Sequence, residues 1–211
     1  MSPLKAVTDP AAFFERRAND LSVVSAGVIV LLAAIINVVG TVLLFRGIFS
    51  AASELPGEVM TIMYATTAIG ILVVSVVVWF LFAVAFHVLS TFVYDGDGSF
   101  VETLAITGWG SLPKVFAALV SLVIISYVVF VQGLVTPDLS DPQAIQQYVQ
   151  SIQTRPVFQL STVATIGATL WSGFVWISGV SEVQDISERD AFVVVAIPVA
   201  ISVLWTLYNL L

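Results

Sequence analysis

Cysteine is absent from this 211-residue chain, and histidine occurs only once. These absences exclude disulfides, thiolate nucleophiles, cysteine-containing zinc sites and two-histidine metal motifs such as H-E-x-x-H. No serine lies in a recognisable histidine–aspartate arrangement, and the apolar runs contain no paired carboxylates that could act as acid and base. We therefore expect a protein that is not an enzyme and that binds neither a metal nor a cofactor.

Basic residues are also scarce, since 7 lysines and arginines face 14 aspartates and glutamates, for a formal net charge of -7. A nucleic-acid-binding protein needs clustered lysine and arginine to replace the counterions of the phosphate backbone, so that class of partner is excluded. An acidic surplus with only two lysines is typical of proteins that work in concentrated salt, where screening weakens self-repulsion. The composition therefore predicts a halophilic microbial source.

Long apolar runs dominate what is present: 59% of the residues are hydrophobic and 10% are charged, and the mean hydropathy is +1.05. A bilayer core of about 30 Å requires roughly 20 apolar residues in a helix. Five runs meet this length, near Ser22–Phe49, Val59–Thr91, Val115–Gly133, Val157–Gly179 and Ala191–Leu211. The sequence therefore predicts an all-α polytopic membrane bundle of about five transmembrane helices over residues 22–211, preceded by a cytoplasmic N-terminal segment, residues 1–21.

The distribution of cationic residues predicts the orientation of this bundle. Five of them fall in segments on one side of the membrane and two on the other: Lys5, Arg16, Arg17, Lys114 and Arg189 against Arg46 and Arg155. By the positive-inside rule, the N-terminus is cytoplasmic and the C-terminus outside, in the plasma membrane. The first run is too long for a signal-peptide core, so we expect it to remain in the mature protein.

Three shorter segments are predicted to be amphipathic helices at the membrane interface. The first, "DPAAFFERR" from Asp9, combines phenylalanines with arginines, which suits an anchor at headgroup level. The second, "DPQAIQQYVQSIQ" from Asp141, has one apolar stripe that faces either the membrane or the bundle. The third follows Ser99, with apolar residues on one face and Thr103 and Thr107 on the other, and it is too short to span.

The stretch "DGDGS" before this third helix admits three interpretations. A calcium loop of the EF-hand type matches the two aspartates, but Phe100 stands in place of the required glycine and Ile106 in place of the glutamate. A phosphate loop fails because no G-K-[ST] follows and the aspartates would repel phosphate. The third interpretation is a capping box, Ser99-x-x-Glu102, after a turn supplied by the two glycines, and the sequence favours it.

Three residues are candidates for binding a lipid or a partner: His87, Trp109 and Lys114. His87 is either a neutral histidine bonded to a neighbouring helix or a partner of Lys114 around a lipid phosphate. A proton relay is disfavoured, because the apolar runs contain no carboxylate. Small residues of the fourth run, such as Gly173, would allow close helix contact within the bundle or in a homo-oligomer.

Two short motifs flank the third amphipathic helix. Gly98, Ser99 and Phe100 form a "GSF" turn after the second run, and Gly108, Trp109 and Pro113 form G-W-x-x-x-P before the third. In these motifs and in the order of its elements the chain resembles the Yip family, the Ypt/Rab GTPase-interacting membrane proteins, whose motif is G-Y-x-x-x-P. The resemblance implies mainly structural roles for the motif residues, and the composition suggests a halophilic, archaeal-type member.

The resemblance also implies a function. It predicts a non-enzymatic integral membrane protein of trafficking or membrane organisation, an adaptor or scaffold whose partners are membrane lipids and a protein or a second copy. The D-L-Y-G-P signature of eukaryotic relatives is absent, with "AFFERRANDLS" in its place, which argues against a Rab-type GTPase partner. The alternative is a transporter, channel or lipid-moving protein, indicated by Pro198 within the fifth run, by the break at Gly108–Pro113 and by His87.

Overall fold

The computed structural model describes residues 4–17, 20–49, 56–135, 137 and 141–208, and all regular secondary structure in these ranges is helical. The helices are α1 (Lys5–Thr8), α2 (Pro10–Arg17), α3 (Val23–Ile48), α4 (Gly57–Tyr94), α5 (Phe100–Trp109), α6 (Leu112–Tyr127, continued by a π-helical turn over Val128–Gln132), α7 (Pro142–Gln153), α8 (Pro156–Gln184) and α9 (Glu188–Tyr208). Five stretches are long and apolar enough to cross a membrane. The predicted all-α polytopic bundle is confirmed.

The third span differs most from the prediction. Its apolar stretch runs from Phe100 to Gln132 and includes α5 as well as α6, whereas the sequence placed it at Val115–Gly133. Gly110 and Ser111 keep near-helical dihedral angles, φ -67° with ψ -10° and φ -82° with ψ 0°. Pro113 lies in the first turn of α6, where a missing N–H costs no helical hydrogen bond. The chain therefore continues from α5 into α6 through a two-residue, near-helical turn.

The spans alternate in direction, which gives the bundle two ends. At one end, the N-side, α3 and α9 begin and α4 and α8 end; at the other, the far side, α4 and α8 begin and α3 and α6 end. On the N-side the turn after α4 is bonded directly to the end of α8, through the Asp97 amide and the Gln184 carbonyl at 3.1 Å. On the far side α7 precedes α8.

The N-terminal helices pack into the N-side of the bundle. Phe13 and Phe14 are 0% and 1% exposed, and the Phe13 ring lies 5.3 Å from that of Trp109. The Trp171 indole donates a hydrogen bond to the Val7 carbonyl at 3.1 Å. The prediction that this segment anchors the protein at headgroup level is therefore wrong. Both phenylalanines lie against protein, because α5 and α8 offer them an apolar surface.

Helix α5 is enclosed as well, although an amphipathic helix at the membrane interface was expected here. Thr103, Thr107 and the residues from Ala105 to Trp109 are buried. Both threonines can be buried because each hydroxyl donates to a carbonyl of its own helix, Thr103 to Ser99 at 3.0 Å and Thr107 to Thr103 at 2.6 Å. The interfacial position expected for this helix is therefore wrong, and α5 lies among α3, α4 and α8.

Helix α7 has the predicted start and a partly enclosed apolar stripe. The Asp141 carboxylate accepts a hydrogen bond from the Gln143 amide at 2.8 Å, as an N-cap does. Ile152 is 2% exposed, and the Tyr148 hydroxyl accepts from the Val135 amide at 2.9 Å. The apolar stripe was predicted to face either the membrane or the bundle, and the burial of Ile152 favours the bundle.

Candidate functional site

The "DGDGS" turn joins α4 to α5 and lies against the end of α8. Asp95 caps α4 in the left-handed conformation, with φ 54°, a region that aspartate tolerates better than most residues. The glycines have a different task from the one expected: a Cβ at Gly98 would overlap the Val183 carbonyl, and one at Gly96 would approach the Gln184 side chain. No cluster of three or more possible metal ligands occurs among the described residues.

The capping box at the start of α5 is confirmed. The Ser99 hydroxyl accepts from the Glu102 amide at 3.3 Å, and the Glu102 carboxylate accepts from the Ser99 amide at 2.9 Å. These bonds satisfy two of the donors that a helix start leaves open. The Phe100 ring packs on the rings of Phe80 and His87, at centroid distances of 5.5 and 5.6 Å. The "GSF" motif thus fixes α5 to α4.

His87 lies at a polar junction of α4, α5 and α8 centred on Gln184. The fully buried Gln184 amide donates to the Thr103 hydroxyl at 2.7 Å. It also lies 3.4 Å from His87 Nδ1 and 3.5 Å from the Gly98 carbonyl. Sequence reasoning missed Gln184; the available signal was a lone amide at the end of an apolar run.

Trp109 and Gly108 join α5 to α3 and to the N-terminal helices. The Trp109 indole donates to the Ser25 hydroxyl at 3.0 Å. Gly108 lies against the Cβ and backbone of Ala26, so this contact has no space for a side chain. Both motif residues therefore act in packing in this structure.

Lys114 lies elsewhere, in a cavity of about 140 Å³ between the helices. Its ammonium is 5.0 Å from the centroid of the Phe82 ring and 4.9 Å from that of Trp176. The Trp176 indole donates to the Thr107 carbonyl at 2.8 Å, which fixes the ring. The lining consists of Val30, Ala33, Ala34, Asn37, Ser75, Val78, Trp79, Phe82, Thr107, Ser111, Lys114 and Trp176. None of these residues is acidic, so the cavity has a cationic character.

The cavity lies within the membrane-spanning part of the helices. Its α3 lining, Val30 to Asn37, is roughly 10 to 20 Å along the helix from Val23 at about 1.5 Å per residue. The lysine was expected at the entry to the third span, and its side chain extends instead among the spans. Ionisable residues in that environment are rare and usually functional.

The three candidate residues do not form one cluster. Lys114 contacts Phe82 and Trp176, whereas neither His87 nor Trp109 lines its cavity. The aromatic partners of the lysine were not predicted, because their proximity depends on how α4 and α8 pack beside α6. Lys114 alone combines charge, a cavity and a position within the spans, and it is the strongest candidate.

These features define a polytopic α-helical membrane protein whose third span begins with a short enclosed helix, α5. The chain belongs to the Yip1 family: the model of the Yip1 domain matches residues 4–209. An uncharacterized protein of Methanocaldococcus jannaschii is 27% identical over 128 residues, which cover 60% of this chain and 90% of that protein. No solved structure matches the chain. The resemblance drawn from "GSF" and "GWGSLP" is thereby confirmed.

Proposed function

We propose that this protein is a non-enzymatic membrane scaffold, whose N-side recruits a protein partner or a second copy. The observation that supports it most is the closed N-side. Helix α5 occupies the bundle interior there, with Thr103 and Ala105 to Trp109 buried, and the N-terminal helices pack over α5 and α8. Such an arrangement offers a folded surface for a partner, rather than a water-filled route through the bundle.

Long-range bonds support the rigidity that a scaffold needs. Segments far apart in the chain are bonded to one another, Val7 to Trp171 within α8 and Asp97 to Gln184 at the N-side end of α8. A preorganised surface binds with less loss of conformational freedom than a mobile one. Family membership agrees with a role in membrane organisation.

The test is reconstitution into liposomes at graded protein density. A scaffold is expected to leave ion flux and lipid flipping at the level of empty vesicles, while changing vesicle curvature or tethering with density. The matched control is a chain with Phe13→Ala and Phe14→Ala, which disturbs the N-side packing and leaves the far side unchanged. Protein-dependent flux or flipping with unaltered vesicle shape would contradict the proposal.

A lipid-moving function is the second candidate, and the Lys114 cavity favours it. A cation among the spans could receive a lipid headgroup during passage across the membrane. The flipping assay decides between the two functions, because only a lipid-moving protein raises the rate above that of empty vesicles.

We infer a cytoplasmic N-terminus in the plasma membrane of a halophilic, archaeal-type organism. The support is the excess of cationic residues in the N-side segments and the net charge of -7. The melting temperature of the purified protein is expected to rise as the salt concentration is increased from low to multimolar, because screening reduces repulsion among carboxylates. Equal stability at both concentrations would argue against adaptation to salt.

A further inference from the structure

We propose that the Lys114 cavity binds the phosphate group of a membrane phospholipid, which enters sideways between α3 and α4. This inference goes beyond the scaffold function and is independent of it, since a scaffold can retain a lipid without moving it. It rests on the chemistry of the lining, on the size of the cavity and on the position of its opening.

The chemistry favours an anion. The ammonium of Lys114 has three N–H donors, and its two ring contacts, 5.0 and 4.9 Å to the centroids, offer no strong hydrogen-bond acceptor. No lining residue is acidic, so the charge is not neutralised by the cavity wall. A cation among apolar helices is costly without a partner, and a bound phosphate would offset that cost.

The other polar groups of the lining define which donors remain. The Ser75 hydroxyl already donates to a carbonyl of its own helix at 2.7 Å, and the Ser111 hydroxyl donates to the Thr107 carbonyl of α5 at 3.0 Å. The Asn37 side chain makes no hydrogen bond within the described part of the chain and is exposed. Lys114 and Asn37 are therefore the donors available to a ligand, one inside the cavity and one at its opening.

The size suits a phosphate group. At roughly 30 Å³ per water molecule, a cavity of about 140 Å³ holds four or five waters or one group of similar volume. A complete phospholipid is far larger, so its acyl chains have to remain outside, along the surface of the bundle.

The opening faces the region where lipids lie. Asn37 is exposed, whereas Thr107 and Trp176 are 0% and 1% exposed, so the cavity leads inward from the outer surface of α3. On the α4 side of the opening, the lining residue Val78 is itself partly exposed, and the exposed Val74 lies one turn before it, so both would contact acyl chains. A ligand arriving there comes from the bilayer, and this favours a lipid phosphate over a free anion.

Native mass spectrometry of the detergent-purified protein tests the proposal, with phosphatidylglycerol and diacylglycerol as probes. The wild-type chain is expected to retain one phosphatidylglycerol and no diacylglycerol, which lacks the phosphate. Lys114→Met is expected to lower retention roughly tenfold or more, since a charge-assisted bond is lost. Lys114→Arg keeps part of it. Arg46→Met is the matched control, because Arg46 is exposed near the far end of α3, and it is expected to behave as wild type.

Three outcomes would overturn the proposal: equal retention by folded Lys114→Met, equal retention of diacylglycerol by the wild-type chain, or displacement of the lipid by millimolar inorganic phosphate. The last result would identify a site for free anions. Thermal denaturation reports whether each variant folds. If Lys114→Met does not fold, the comparison of phosphatidylglycerol with diacylglycerol on the wild-type chain still decides. The scaffold function is measured separately by vesicle shape, so either idea can fail alone.

Discussion

At Gly98, the backbone of α8 leaves no space for a side chain. A Cβ there would overlap the Val183 carbonyl, so Gly98→Ala forces the α4–α5 turn away from α8. We expect a loss of about 1 to 3 kcal/mol, the usual range for overpacking, measured as a lower melting temperature in detergent. Gly167→Ala is the control, because a Cβ at Gly167 meets no atom within 4 Å and alanine favours a helix. Equal effects of the two substitutions would contradict the close-contact explanation.

The Ser99 cap gives a second prediction at this scale. Ser99→Ala removes the acceptor for the Glu102 amide and is expected to cost about 1 kcal/mol. Ser99→Thr keeps a hydroxyl and is expected to retain most of the stability. Thermal denaturation of both variants checks this, and an unchanged midpoint for Ser99→Ala would show that the bond contributes little.

The residues that could be predicted from sequence are those whose partners are local. Ser99 and Glu102 are three positions apart and bond within one turn, so their spacing was sufficient. The turn after α4 was assigned to the two glycines, whereas Asp95 adopts the left-handed conformation that ends the helix and the glycines leave space for α8. The contact of Lys114 with Trp176 has no local signal, because it depends on the packing of distant helices.

Helix α2 shows most clearly that an amphipathic segment can pack either at a membrane interface or against protein. Aromatic and arginine residues suit a membrane interface and a protein surface alike, and their sequence pattern is the same in both. The structure places Phe13 and Phe14 within the bundle. The pattern predicted a helix correctly, and only the tertiary contacts with Trp109 and Gly179 determine what it faces.

Truncating these side chains tests the docking of α2. Phe13→Ala is expected to destabilise the docked helix by about 3 to 5 kcal/mol, as for other buried phenylalanines, and to expose residues before Val23 to protease. Phe92→Ala is the control, since Phe92 is 81% exposed and should change neither property. Protection from protease that is unchanged in Phe13→Ala would instead indicate a helix held by lipid, observable as cleavage that varies with detergent.

Helix α5 shows the same limit for an element with polar residues. Thr103 and Thr107 were placed on the face opposite the apolar residues of an interfacial helix, yet both are 0% exposed. A threonine that bonds to the carbonyl four residues earlier presents mainly a methyl group to its neighbours. Sequence alone gives the helix and its cap, but it does not tell whether such hydroxyls meet water or another helix.

At the scale of the whole molecule, the five spans were predictable because each long apolar run carries its own evidence. Their arrangement was less so, since packing between helices depends on shape more than on hydropathy. The junction at Gly110 and Ser111 is an example: the glycine, serine and proline predicted a break in the helix, but the backbone stays close to helical there.

The absence of cysteine makes the orientation directly measurable. Glu58→Cys lies at the far-side start of α4 and Glu182→Cys near the N-side end of α8, and both positions are exposed. With a cytoplasmic N-terminus, a membrane-impermeant maleimide labels Glu58→Cys in intact cells, and Glu182→Cys only after permeabilisation. The cysteine-free parent chain supplies the background. The reverse pattern would place the N-terminus outside.

The tryptophans of α8 also determine when, during synthesis, earlier segments of the chain can complete their packing. Trp171 bonds to the Val7 carbonyl and Trp176 to the Thr107 carbonyl, at 3.1 and 2.8 Å, so segments synthesised early depend on one synthesised late. Because a chain emerges from its N-terminus, α1 and α5 have to wait for the fourth span before they gain these partners. Completion of α8 on the ribosome is therefore the step at which the N-side of a nascent chain can first close.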